Sequence, residues 1–144
     1  MKKPTIIMIH HTATSYKFNP DQFAANNLYH KNKWNFKSSL GFYLGYNYEI
    51  SSNGYRRQAR NDGETTAACY QNGMNDGRAV HIALDGNFDL EKPTDLEIYA
   101  LRDLLKLLNQ RYNILSNQIY FHKQFSQTVC PGKNMDLKFI RSLI

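Results

Sequence analysis

The hydrophobic positions of this chain follow two rhythms: short apolar runs that suit strands buried on both faces, and one long stretch at helical spacing. Thr5 to His10 carries Ile6, Ile7, Met8 and Ile9 in succession and predicts a buried strand. Pro20 with Asp21 predicts the start of a helix that continues toward His30. Phe42 to Ile50, rich in aromatics, predicts a second strand, after which Asn53 and Gly54 supply a tight turn into Tyr55 and Arg56, as in a hairpin. Ala79 to Leu84 predicts a third strand, ending in the loop signal Asp85-Gly86-Asn87. The strongest helix follows. Thr94 caps it while Glu97 reaches back, and Leu96, Ala100, Leu104, Leu107 and Leu108 form an apolar face that reads as core. Ile119 to Phe121 predicts a strand that delivers His122 at its end, and Asp136 to Ile144 a terminal helix. Strand and helix alternate, so the expected fold class is α/β, a central mixed sheet flanked by helices.

No internal repeat, low-complexity stretch or Pro/Gly-rich linker interrupts this order, so one domain over residues 1–144 is expected. A hydrophobic content of 42% can furnish its core without disulfides. Cys69 and Cys130 are the only cysteines, too few for a disulfide framework, and are read as reduced thiols. The apolar run from Ile6 to Ile9 is shorter than a signal peptide's core of about 7 to 15 residues. Nothing approaches the roughly 20 apolar residues of a membrane span. Synthesis in the cytoplasm without a signal peptide and no membrane insertion are therefore expected. Eighteen basic against twelve acidic side chains give a charge of +6, which favours a polyanion such as nucleic acid, anionic lipid or an acidic wall polymer, although a solvated basic surface accounts for it as well. No zinc-finger pair, arginine-rich run or glycine-rich nucleotide loop is present, so no nucleic-acid partner is expected.

The candidate chemistry lies in His10, His122 and Cys130. Two imidazoles and a thiolate can hold a zinc ion while leaving a fourth position open to water, the arrangement that separates a catalytic zinc from a structural one. His10 and His122 both stand where a hydrophobic strand runs out, from which neighbouring strands can bring side chains together at one sheet edge. Cys130 precedes Pro131-Gly132, a dipeptide that turns the chain and can aim the sulfur back toward His122. The convergence itself is a demand on the fold.

Four blocks, IIMIHHTAT, LGYNYEISSNG, AVHIALDGNFD with PTDLE, and FHKQFSQTVCPG, occur in an order and spacing that resemble the zinc-dependent N-acetylmuramoyl-L-alanine amidases, the family of amidase-type phage lysozymes and peptidoglycan-recognition proteins. The match runs through nearly the whole chain. The resemblance implies a zinc ion held by His10, His122 and Cys130. Adjacent strand residues face opposite sides, which leaves His11 a groove or supporting role. It implies Tyr46 as the active-site tyrosine, donating a hydrogen bond to the developing oxyanion. Thr128 takes the place where relatives carry lysine or threonine, orienting water or the oxyanion without adding charge. Lys123 and Lys133, close in sequence, are read as solvated. Asn47 and His11 are candidate substrate contacts. Cys69 stands where many relatives have histidine, so a substrate contact is altered there or the thiol is simply buried. His30 and His81 are read as structural or surface residues.

The resemblance implies an N-acetylmuramoyl-L-alanine amidase, with peptidoglycan as substrate and a monomeric phage or prophage endolysin, reaching the wall after release, as its leading role. A peptidoglycan-binding module that does not cut, a lysozyme that regulates a protein partner such as a polymerase, and a cytoplasmic enzyme recycling wall fragments are the alternatives. Relatives that only bind generally lose the cysteine ligand, often to serine, and this chain keeps Cys130.

Overall fold

The computed structural model describes residues 1–144. Five strands form one sheet: β1 (Ile6–His11), β2 (Tyr48–Ile50), β3 (Arg56–Gln58), β4 (Ala79–Leu84) and β5 (Ile119–Phe121), in the spatial order β3-β2-β4-β1-β5. β1 runs parallel to β4 and β5, and β2 runs parallel to β4, while β2 and β3 form the antiparallel hairpin signalled by Asn53-Gly54. The helices are α1 (Phe23–Trp34), α2 (Asp95–Tyr112) and α3 (Leu137–Arg141). The sheet is mixed because the crossovers that carry α1 and α2 join parallel strands and only a tight turn joins an antiparallel pair.

Strand alternation gives this sheet two chemically different faces. Ile7, Ile9, Val80, Ile82 and Leu84 join Leu101, Leu104, Leu105 and Leu108 of α2 in the main hydrophobic core. The other face carries Met8, His10, His81 and Glu49, with Ala83 in register between His10 and Glu49. Thr94 and Glu97 make the predicted capping box at the start of α2, through bonds of 3.0 Å in each direction. Its buried stripe is rotated from the expected one: Leu101 and Leu105 are buried, whereas Leu96 is 53% exposed. Leu104 and Leu108 belong to both candidate stripes, and only the position of the sheet chooses between them.

Two further boundaries differ from the sequence reading. The predicted strand from Phe42 forms a ladder only from Tyr48. Before it, the backbone is committed to side chains: the amides of Tyr43 and Leu44 donate to Asn27 Oδ1, that of Gly45 to His30 Nδ1, and the Leu44 carbonyl accepts from buried Arg60. The terminal helix spans only Leu137–Arg141, capped by the Asp136 carboxylate accepting from Lys138 N.

Helix α1 is tied to the polar face through two buried carboxyls. Asn26 donates to Glu49 Oε1 at 3.1 Å, and the backbone N–H of Gln22 donates to Asp85 Oδ2 at 2.7 Å. Glu49 Oε2 and Asp85 Oδ1 are buried without another partner. Burial, then the charge of Asp85, lifts the Glu49 carboxyl well above the ordinary range, and burial lifts Asp85 as well. The folded pair therefore keeps a proton that the unfolded chain releases. Its contribution is complete at acid pH and is lost as pH rises from the ordinary carboxylate range, about 4, through the raised value. We expect Glu49→Gln to flatten the decline in urea-unfolding stability as pH rises above the ordinary carboxylate range, about 4. Comparing the two proteins isolates Glu49 from the buried histidines, which weaken folding as pH falls, and from Glu97, whose carboxyl burial also raises; parallel profiles would refute the retained proton.

Candidate active site

At the carboxyl ends of β1 and β5 the chain brings together three residues far apart in sequence. One ligand atom each from His10, His122 and Cys130 lies within 4.8 Å of the others. β1 delivers His10, the turn that follows β5 delivers His122, and the loop before Pro131 delivers Cys130. The His10 and His122 ring centroids are 4.7 Å apart, and Cys130 Sγ is 3.8 Å from His10 Nδ1. Cys130 Sγ also accepts from the backbone N–H of His11 at 3.4 Å. Its loop is set by a bond from Lys123 N to the Cys130 carbonyl and by Gly132, whose φ of +100° suits glycine and where a Cβ would overlap the Phe88 backbone.

The electrostatics favour uncharged imidazoles. Burial lowers His10 well below its ordinary value, helped by His81, His122 and His11, and burial lowers His122 too. Burial pushes the Cys130 thiol up to about 12. A cation reverses that last preference, because a coordinating thiol loses its proton to the metal. Two neutral nitrogens and one sulfur, converging at the edge of a cavity, suit the borderline-soft zinc ion.

The cavity encloses about 640 Å³ and is walled by Asn26, Tyr29, His30, Lys33 and Trp34 from α1, by Ala67 to Gln71, and by the three converging residues. Tyr46, half-buried, lines the same cavity, with its ring centroid 5.1 Å from that of His10 and 5.7 Å from that of His30. Burial, then the Cys130 charge, raises the phenol far above its ordinary value, so the hydroxyl stays a donor at neutral pH. Gly45 before it admits no side chain, since a Cβ would overlap the Ala67 carbonyl oxygen. Thr128 is exposed on the cavity rim, its hydroxyl accepting from Cys130 N at 3.3 Å.

The remaining candidates are distributed differently. His11 borders the cavity, but its ring turns toward Phe88 and Nδ1 accepts from the Phe88 N–H at 3.1 Å. Cys69 is 1% exposed and packs with Met8, Met74 and Ala79, its thiol near Ser126 Oγ. Asn47 is wholly buried outside the cavity lining: its amide donates to the Asn61 carbonyl and its Oδ1 accepts from His81 N. Those bonds tie the residue before β2 to β4 and to the loop after β3, so its side chain is committed to the protein's own backbone. Lys123 and Lys133 are exposed and border no part of the cavity.

Two residues read from sequence as structural or surface stand beside the site. His30 accepts the Gly45 N–H and packs against Trp34, with ring centroids 4.6 Å apart and planes tilted by 53°, which braces the segment carrying Tyr46. His81 meets His10 through ring nitrogens 2.8 Å apart. A histidine inside an apolar run, as in AVHIAL, is the one sequence signal that marked a buried polar ring in need of partners.

The family model described as N-acetylmuramoyl-L-alanine amidase matches residues 1–133. Peptidoglycan-recognition protein SC2 of Drosophila melanogaster is 30% identical over 134 residues, covering 89% of this chain and 68% of that protein. Among solved structures, N-acetylmuramoyl-L-alanine amidase LysC from Clostridium intestinale superimposes with a TM-score of 0.78 at 28% identity, over 97% of this chain and 84% of its own. PGRP-SA of Apis mellifera gives 0.78 at 20% identity, over 98% and 83%, a likeness that carries the fold alone.

Proposed function

The chain belongs to the N-acetylmuramoyl-L-alanine amidase family, and from that premise we propose that it is a zinc-dependent hydrolase cutting the amide bond between N-acetylmuramic acid and L-alanine in bacterial peptidoglycan. The observation that carries the reading is the convergence of His10, His122 and Cys130 within 4.8 Å at the cavity that also holds Tyr46. Those three side chains would hold the ion. When bound, zinc brings the pKa of water from about 15.7 to near 7 and polarises a carbonyl oxygen.

The chain's own residues supply the rest. Tyr46, kept protonated by burial, donates a hydrogen bond to the lactyl carbonyl oxygen as charge gathers on it. Thr128 orients the reacting groups from the rim. The aromatic wall of Tyr29 and Trp34 offers apolar surface to the substrate. Hydrolysis adds one water across the amide: its oxygen ends on the lactyl carbon as a carboxylate, a proton from it goes to the departing amine as the C–N bond breaks, and glycan and stem peptide separate.

In this reading residues 1–144 act as one zinc amidase domain, a monomer working as a phage or prophage endolysin that reaches the wall after release. The +6 charge favours approach to an anionic wall. No helix is long and apolar enough to cross a membrane.

Digestion of purified peptidoglycan tests the reading. New alanine amino termini without new reducing sugar ends are expected, with loss of the signal in a zinc chelator and its return on adding zinc. Retention of the protein on the wall with no bond cut would favour a binding module instead, and cleavage indifferent to the chelator would remove zinc from the mechanism.

A further inference from the structure

His81 has no place in the reaction above, yet it is the most enclosed titratable ring beside it. It lies on β4, fully buried, on the same sheet face as His10. Its backbone is clamped from both sides by Asn47, whose Oδ1 accepts the His81 N–H at 2.8 Å and whose own N–H donates to the His81 carbonyl at 3.0 Å. The ring has little freedom. Nε2 sits 2.7 Å from the Met74 carbonyl oxygen, and Nδ1 sits 2.8 Å from His10 Nε2.

A carbonyl oxygen can only accept, so the His81 nitrogen facing Met74 must carry hydrogen. A neutral imidazole has one N–H, which leaves His81 Nδ1 as an acceptor. The His10 nitrogen opposite it must then be the donor. One proton on His10 Nε2 leaves the lone pair on Nδ1, and Nδ1 is the atom facing Cys130 Sγ at 3.8 Å. The Met74 carbonyl thus sets two tautomers in series.

We propose that His81 is a positioning residue that holds His10 in the Nε2–H tautomer and so presents Nδ1 as the metal-binding atom. The inference rests on the reading of His10 as a zinc ligand and deepens it. Metal-bound imidazoles usually donate their second N–H to a carboxylate, a carbonyl or water, which fixes ring and tautomer. Here a second histidine does this, relaying the polarity of a backbone carbonyl 2.7 Å beyond it.

The test combines NMR with metal binding. Long-range ¹⁵N–¹H correlation on the metal-free protein should show His10 protonated at Nε2 and His81 at the nitrogen facing Met74. Chelator competition should show that His81→Leu weakens zinc binding about 10- to 100-fold, the usual loss when a ligand's supporting partner goes. His81→Asn, which keeps an acceptor near the old Nδ1, should recover most of that loss, whereas a merely structural role would leave both variants equally impaired. A His10 found protonated at Nδ1, or a folded His81→Leu protein that binds zinc as tightly as the parent, would overturn the inference. Should the leucine variant fail to fold, the tautomer of the parent protein still decides. Failure of the parent to bind zinc would overturn the amidase reading and leave the tautomer result to judge His81 separately.

Discussion

Cys130→Ser is expected to abolish peptidoglycan hydrolysis while leaving the fold largely intact. The sulfur is buried, 8% exposed, and faces His10 Nδ1 at 3.8 Å with the His11 N–H at 3.4 Å. Serine keeps an acceptor for that N–H, so the loop has little reason to move. It does not keep the thiolate: a hydroxyl holds its proton at neutral pH and is a poor partner for zinc beside two imidazoles. Losing a partner that merely supports a ligand costs 10–100-fold in affinity or activity, so losing the ligand itself should cost on the order of 10² or more. Zinc content after dialysis, release of alanine amino termini and the thermal midpoint should be measured on the same preparation. Full activity with full zinc would remove Cys130 from the metal site, and a collapsed midpoint would show that the substitution had tested folding instead.

Tyr46→Phe should lower kcat by about 10²- to 10³-fold, the loss typical of one oxyanion donor, with KM nearly unchanged. Phenylalanine fills the same volume, so the ring contacts with His10 and His30 survive and only the hydroxyl goes. The hydroxyl interacts more strongly as charge develops on the carbonyl oxygen, which is why its removal acts on turnover rather than on binding. Steady-state kinetics on a soluble glycopeptide separate the two parameters. An unchanged kcat would exclude the hydroxyl role.

These expectations depend on residues whose types were legible long before their neighbours were. The apolar run Ile6–Ile9 marks β1, and it reads correctly because a strand buried on both faces needs no polar alternation. Thr94 and Glu97 mark the start of α2 because a capping box is satisfied within four residues. The segment from Phe42 to Asn47 misleads for the opposite reason. Its aromatic content suits a strand, but Asn27, His30 and Arg60, distant in sequence, take its backbone bonds. Leu96 misleads because a helix with several leucines offers more than one apolar stripe, and the sheet selects the one it covers.

The site divides along the same line. His10, His122 and Cys130 were nameable from residue type and the resemblance of their surrounding blocks, since donor chemistry belongs to each side chain alone. Position in the blocks makes Asn47 and Cys69 candidate substrate contacts, but what each touches depends on the fold: Asn47 bonds to the backbone of Asn61 and His81 outside the cavity, whereas Cys69, 1% exposed, sits in the cavity wall with its side chain packed against Met8, Met74 and Ala79. The contact between His10 and His81 spans 71 positions in the chain and that between His10 and Cys130 spans 120.

The buried strand at Ile6–Ile9, the capping box of α2, the donor types and the family are written in the chain, because each depends on side-chain chemistry or on neighbours within a turn. Which stripe of α2 is core, which aromatic segment forgoes a ladder, and which ring meets His10 depend on the folded chain. Those outcomes are set by hydrogen bonds and packing between distant segments, and a buried polar group declares its role only when its partner is in place.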